Sequence, residues 1–311
     1  MEPATQGANC EGWRPELRFG EAGAGRYMCM TKDYSTISPS AQSLLWMKSL
    51  TDIPFARAAA AQVFGEAALP TEGDERITPP FLRRLLHFEA RYWSIDAALD
   101  MLDITNVLEL SSGFSFRGLQ KVLYQDFFYI DTDLPGVVEV KEGLLKPLLR
   151  TLEDPPVGQL RTKILNALDE DAFNDLIARF PPGKVAIVNE GLLVYLDEVE
   201  KRRLCTTIRN ILQRRGGCWV TADAYVRKEE IDVGPVSPEI SKFMADHHVE
   251  ENKFDSFGAA ESFFGSCGLR IASKVAPDSA KLKSMYLLKE KGAPLVARPR
   301  IRETWVLEVA G

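Results

Sequence analysis

VLELSSGFSFRGL, residues 107–119, is an apolar run carrying one acid, Glu109, that breaks into serines and a single glycine before helical spacing resumes. A helix is expected to restart near Ser115, whose hydroxyl suits an N-cap. Strand, tight turn and helix in that order can hold a nucleotide-like ligand at the strand end, or can be a plain strand-to-helix crossover. Outward from this stretch, further strand candidates fall at 126–131, 184–189 and 217–222, each nearly continuously apolar and separated from the next by a helical stretch. Such alternation predicts a parallel sheet covered on both faces, with the ligand crevice beyond the carboxyl ends of its strands. In the tail, GLRIASKV, SMYLLKE and RETWVLEV read as short strands, two of them closing one sheet edge as an antiparallel pair.

Upstream, residues 38–57 have helical spacing until Pro54, and a second helix is expected from Phe81 to about Leu102. Both precede the first strand, so residues 36–104 are expected to form a helical cap. The Gly-rich residues 1–35 read as a loose extension, and residues 105–311 as the α/β core, with a lid insertion around 226–262.

The 311 residues are 45% hydrophobic and 26% charged with a formal net charge of −6, which argues against a nucleic-acid partner. The basic run Lys201-Arg202-Arg203 adjoins acids and reads as a solvated helix face. Five cysteines without a CxxC pair suggest neither a disulfide framework nor a zinc site, and make a reducing, cytoplasmic setting the default. No window approaches a membrane span, and no metal site is expected.

Which ligand the first turn can hold follows from its side chains. A dinucleotide turn needs three spaced glycines, and alignment on Gly113 puts Ser111 in the first position and Phe116 in the third, where a phenylalanine would hold the helix away. Pyrophosphate is therefore disfavoured, with it an NAD-dependent oxidoreductase, and a nucleoside without phosphates fits better. The second strand ends with Asp131 and Asp133, the latter some twenty residues past Gly113, where a carboxylate can bond ribose hydroxyls or else cap the next helix. In VAIVNEGLLVYLDEVE an apolar strand delivers Glu190 directly before a glycine, and an acid there calls for a cation. S-adenosylmethionine brings an ammonium and a sulfonium, whereas NAD brings phosphates, so the acids favour the former.

These residues resemble the leucine carboxyl methyltransferase family, in particular its bacterial small-molecule branch associated with polyketide O-methylation. The likeness rests on SLTDIPFAR (49–57), EARYWSID (89–96), VLELSSGFSFRGL, YIDTDLPGVVEVKEGLL (129–145), LNALDEDAF (165–173) and NEGLLVYL (189–196). It implies a Rossmann-like class I methyltransferase sheet, seven strands and mostly parallel, with an N-terminal helical cap. It also implies S-adenosylmethionine as cofactor and an oxygen, often a carboxylate oxygen, as methyl acceptor. By the same resemblance Arg91 would pair with the methionine carboxylate, Gly113 would admit the cofactor, and Asp133 would hold the ribose with Asp131 and Glu109 close by. Leu168 and Asp169 would flank the adenine, and Glu190 would meet the methionine ammonium. Without the resemblance, Arg91 reads equally as a helix-surface residue and Asp169 as a helix N-terminus.

The eukaryotic family member that methylates the C-terminal leucine of a protein phosphatase has a cofactor-touching lysine in its first helix, where alignment puts a small residue near Ala41. A small-molecule acceptor is therefore favoured over protein carboxyl methylation, and a non-catalytic cofactor-binding module is the alternative of another class. A carboxylate acceptor needs no general base, while a phenol would profit from one. His247 and His248 are the candidates, in the expected lid or simply on a solvated loop. His87 reads as structural. Tyr195 and Arg117 are candidates to line the acceptor pocket, and Trp46, Phe55, Tyr92 and Trp93 form either an apolar wall or core.

Overall fold

The computed structural model describes residues 38–227, 238–293 and 301–311, with backbone alone at 38–40 and 238–240. The expected N-terminal extension and residues 228–237 of the expected lid lie outside the described residues. Three helices come first: α1 (Ser38–Lys48), α2 (Ala56–Phe64) and α3 (Pro79–Asp100). The break between α1 and α2 falls earlier than Pro54 alone would place it. Thr78 caps α3 and accepts from the Phe81 amide, with prolines in the first turn where no amide is needed.

The α/β part then runs β1 (Asn106–Leu110), α4 (Arg117–Tyr124), β2 (Phe128–Asp133), α5 (Pro135–Arg150), β3 (Gln159–Ile164), α6 (Glu170–Ile177), β4 (Val185–Asn189), α7 (Glu198–Arg215) and β5 (Gly217–Tyr225). It ends with α8 (Pro238–Asp246), α9 (Phe257–Ser266), β6 (Leu269–Val275), α10 (Lys283–Glu290) and β7 (Arg302–Val309). The strands form one seven-stranded sheet in the order β3-β2-β1-β4-β5-β7-β6. The first five are mutually parallel, and β7 runs antiparallel to both β5 and β6. This is the Rossmann-like, mostly parallel sheet with a closing antiparallel pair that the sequence predicted. Strand order reverses between β1 and β4, so the loops after these strands flank a crevice at the carboxyl ends.

Four local expectations need correction. SMYLLKE is helix α10, not a strand, because the buried Glu89 carboxylate of α3 accepts from the Lys283 and Ser284 amides, 3.0 and 2.9 Å, and caps the helix start. The second strand is Phe128–Asp133, two residues later than expected, which puts Asp133 on the strand itself. Strand β3 escaped the sequence reading altogether. The basic run is not a uniformly solvated face either: Lys201 is buried, donates to the Asn252 carbonyl, and is brought down to about 8 by burial. No described helix is long and apolar enough to cross a membrane.

Candidate active site

The turn after β1 takes left-handed backbone at Ser111 (φ 49°) and Gly113 (φ 50°). Phe116, not Ser115, occupies the α4 cap position, and Ser115 Oγ instead accepts from the Arg117 amide at 3.3 Å. The Gly113 amide donates to Asp133 Oδ2 at 2.7 Å, and Asp133 Oδ1 accepts from the Leu134 amide at 2.8 Å. One carboxylate thus pins the β1 turn to the end of β2. Burial pushes the Asp133 carboxyl up while the two amides oppose the shift. A carboxylate offers about four acceptor positions, so two amides leave Asp133 room for two hydroxyls.

Phe116 does not hold the helix away. The close approach is at Gly118, where a Cβ would come within 2.7 Å of the Tyr129 ring on β2 and 2.8 Å of Leu160 on β3. The glycine that lets α4 settle on the sheet therefore lies two residues beyond the place the dinucleotide pattern assigns it.

Asp131 is buried, with Lys141 Nζ 2.7 Å from Oδ2, and that ammonium donates to Ser112 Oγ at 2.9 Å. The Asp131 contact is an ion pair without good hydrogen-bond direction, and Oδ1 has no hydrogen-bond partner. Burial raises this carboxyl to about 6 against the pull of Lys141. One strand further out, Leu168 and Asp169 sit on the loop after β3. Asp169 caps α6, its Oδ1 accepting from the Ala172 amide at 3.1 Å.

On the other side of the strand-order reversal, Glu190 follows β4. Its loop is shaped by Asp223 of β5, which accepts from Asn189 Nδ2 (2.7 Å) and from the amides of Gly191, Leu192 and Leu193 (2.8, 2.6 and 3.0 Å). Three cations meet the Glu190 carboxylate: Lys48 Nζ at 2.9 Å, Arg91 Nε at 3.2 Å and Arg117 Nη2 at 2.8 Å. Burial opposes ionisation of Glu190, but together the three hold it well below the usual carboxylate range. Burial, with the Arg91 and Arg117 charges, lowers Lys48 against the pull of Glu190.

Arg117 lines no pocket. It is fully buried between Glu190 and Glu109, whose Oε1 lies 2.5 Å from Nη1, with Tyr92 stacked 4.3 Å from its guanidinium. Glu109 also accepts from the Tyr129 hydroxyl, so both its oxygens have chain partners. Nor is Arg91 a surface residue: it is 5% exposed and its Nη1 donates to the Tyr225 hydroxyl at 3.2 Å. His87 Nε2 lies 2.8 Å from that hydroxyl, and burial, with the Arg302 and Arg91 charges, lowers the imidazole well below its ordinary value.

Among the acceptor-side candidates, Tyr195 ends a single 3-10 turn after Glu190, and its ring meets those of Phe243 and His247, both at 6.0 Å. His248 is exposed in a left-handed turn, so the adjacent histidines do not act as a pair. Tyr92 and Trp93 are core residues packed with Ile53 and Ala56. Sequence reasoning did not reach Lys48, Asp223 or Tyr225 as site residues, because each acquires its meaning from a partner more than thirty residues away. Ala41 does lie beside the turn, 3.9 Å from where a Gly113 Cβ would stand. The lysine that α1 brings to the site is Lys48.

No family model and no curated protein matches the chain. Solved structures similar to it include the LepI complex with SAM, at 13% identity over 65% of this chain and 42% of that one, TM-score 0.40. The mitomycin 7-O-methyltransferase MmcR matches at 12% identity over 88% and 67%, TM-score 0.43. The O-methyltransferase NcsB1 from neocarzinostatin biosynthesis, in complex with S-adenosyl-L-homocysteine and 1,4-dihydroxy-2-naphthoic acid, matches at 12% identity over 88% and 70%, TM-score 0.44. The chain spans less than half the length of the first of these.

Proposed function

We propose that this chain is an S-adenosylmethionine-dependent O-methyltransferase that transfers a methyl group to the carboxylate or phenol oxygen of a small molecule, and that it belongs to the leucine carboxyl methyltransferase family. The observation that carries the reading is Asp133, which spends one lone pair of each oxygen on the turn and keeps acceptor capacity at the strand end. A carboxylate in that place repels phosphate and suits the two hydroxyls of a ribose. Gly113 would border the nucleoside, with Leu168 and the second oxygen of Asp169 toward the base, while Glu109 and Asp131 support the turn from beneath. At the far end Arg91 and Lys48 supply cations for a carboxylate, and Glu190 supplies an anion for an ammonium. When bound, S-adenosylmethionine would supply an electrophilic methyl on a sulfonium, which passes to the acceptor oxygen as the thioether leaves. The chain's own work is to align that oxygen and exclude water.

A carboxylate acceptor arrives ionised, so no proton need move. For a phenol, His247 beside Tyr195 is the base assigned here. Helices α1 to α3 form the cap over a core of residues 105–311, and the setting is cytoplasmic. Calorimetric titration of S-adenosylmethionine, and separately NAD, into the protein and its Asp133→Ala and Glu190→Ala variants tests the assignment. Micromolar binding of the former alone, weakened by more than about 1.4 kcal/mol in both variants, is the expected result. Binding of neither ligand, or binding indifferent to both changes, ends this reading.

A further inference from the structure

Away from the strand-end crevice, α7 carries Arg202, Cys205 and Arg209 at a spacing of three and four residues, which sets them in one stripe along the helix. That stripe faces Cys267 at the end of α9. Arg202 Nη1 donates to Ser266 Oγ at 2.9 Å and lies 4.0 Å from Cys267 Sγ. Arg209 Nη1 donates to the Cys267 carbonyl at 3.3 Å, which offsets the negative end of α9 at this residue. Cys205 lies between these two arginines on the same stripe of α7, on the side turned toward Cys267. Cys218 on β5 is buried, and among the described residues no side-chain hydrogen bond involves its thiol.

We propose that Cys205 and Cys267 form a modification site, a vicinal thiol pair that hydroperoxides oxidise reversibly to a disulfide, with Cys267 the sulfur oxidised first. The methyl-transfer reading does not enter this assignment. The Cys267 thiolate attacks one peroxide oxygen, the O–O bond breaks and hydroxide leaves, so sulfur gives up two electrons and becomes a sulfenic acid. The Cys205 sulfur then attacks Cys267, the S–O bond breaks as the S–S bond forms, and the Cys205 proton leaves with the oxygen as water. Reduction by a dithiol restores both.

The electrostatics agree with this order. The neighbouring Cys205 thiol, helped by Ser266 and Arg202 and opposed by burial, brings Cys267 down to about 6. The same neighbourhood raises Cys205, and burial pushes Cys218 up to about 12. At neutral pH Cys267 is therefore the thiolate of the three.

Treatment of the full chain with stoichiometric hydrogen peroxide, followed by alkylation of free thiols and peptide mapping, should yield one 205–267 linkage that dithiothreitol removes, with Cys218 still alkylated. In Cys205→Ser, dimedone should trap a sulfenic acid at Cys267. Limited iodoacetamide labelling should modify Cys267 at least tenfold faster than Cys218 at pH 7, with a midpoint that moves upward in Arg202→Gln. Linkage of Cys267 to Cys10 or Cys29, a stable sulfenic acid on Cys267 while Cys205 is intact, or no oxidation at concentrations that consume free glutathione would each overturn the proposal.

Discussion

The two halves of the crevice solve the burial of charge differently. At the β1–β2 side a single carboxylate, Asp133, is held by two backbone amides at 2.7 and 2.8 Å, and its neighbour Asp131 has one cation, Lys141. At the β4–β5 side Glu190 meets Lys48, Arg91 and Arg117, the last of which it shares with Glu109 of β1, and every oxygen of these two carboxylates already has a partner from the chain. The first half has acceptor capacity to spare. The second is self-neutralised, so any ligand that enters it must exchange partners with the protein rather than fill unmet ones. Substitutions in the second half should therefore cost stability and binding together, whereas in the first half the two should separate.

The largest effect is expected at Arg117. Arg117→Ala leaves the buried Glu109 without a cation and Glu190 with two of its three, and breaking a buried network from one side costs about 3–5 kcal/mol. Urea denaturation at pH 7 measures it; a loss under 1 kcal/mol would mean that water or a neighbouring cation replaces the guanidinium and that the second half is not closed. Next comes Asp131, whose folded value of about 6 lies above that of an unfolded aspartate, near 4. The folded chain then holds the proton more tightly, so this contribution is complete below about pH 4 and is lost as the pH rises through about 6. The stability margin of the wild type over Asp131→Asn should fall by roughly 1–3 kcal/mol across that window. A flat margin would show that Lys141 fully offsets the burial.

Gly118→Ala should follow, costing roughly 1–3 kcal/mol because its Cβ would intrude on Tyr129 and Leu160, more than the ~1 kcal/mol alanine otherwise gains in a helix. Gly113→Ala meets only Ala41 at 3.9 Å and should cost about 1 kcal/mol for its left-handed backbone. If the two lose equally, α4 packs on the sheet less closely than its geometry indicates.

What the sequence made legible divides along the same line. Strands buried on both faces, β1, β4 and β5, stand out because they are nearly continuously apolar, and the few acids in and after them read at once as unusual. Strand β3, QLRTKI, is an edge strand with Gln159, Arg161 and Ile164 exposed and Lys163 only half-buried, so its apolar signal is sparse. Helix α10 is only eight residues long, and the group that makes it helical, Glu89, lies some 194 residues upstream. Gly113 and Asp133 are linked by a spacing of twenty residues that a known pattern contains. Lys48 and Glu190 are 142 apart, and no local rule connects them.

The smallest effect bears most directly on the ligand. Asp169 caps α6, and removing a cap costs about 1 kcal/mol, so Asp169→Ala should lose that much in denaturation whatever else the residue does. Asp169→Ser keeps a cap while deleting the carboxylate, and should hold nearly wild-type stability. If the free oxygen of Asp169 also bonds the adenine amine, S-adenosylmethionine should bind the serine variant several-fold more weakly, though less so than Asp133→Ala. Unchanged affinity in the serine variant would confine Asp169 to capping and leave the nucleoside to Asp133 and the turn at Gly113.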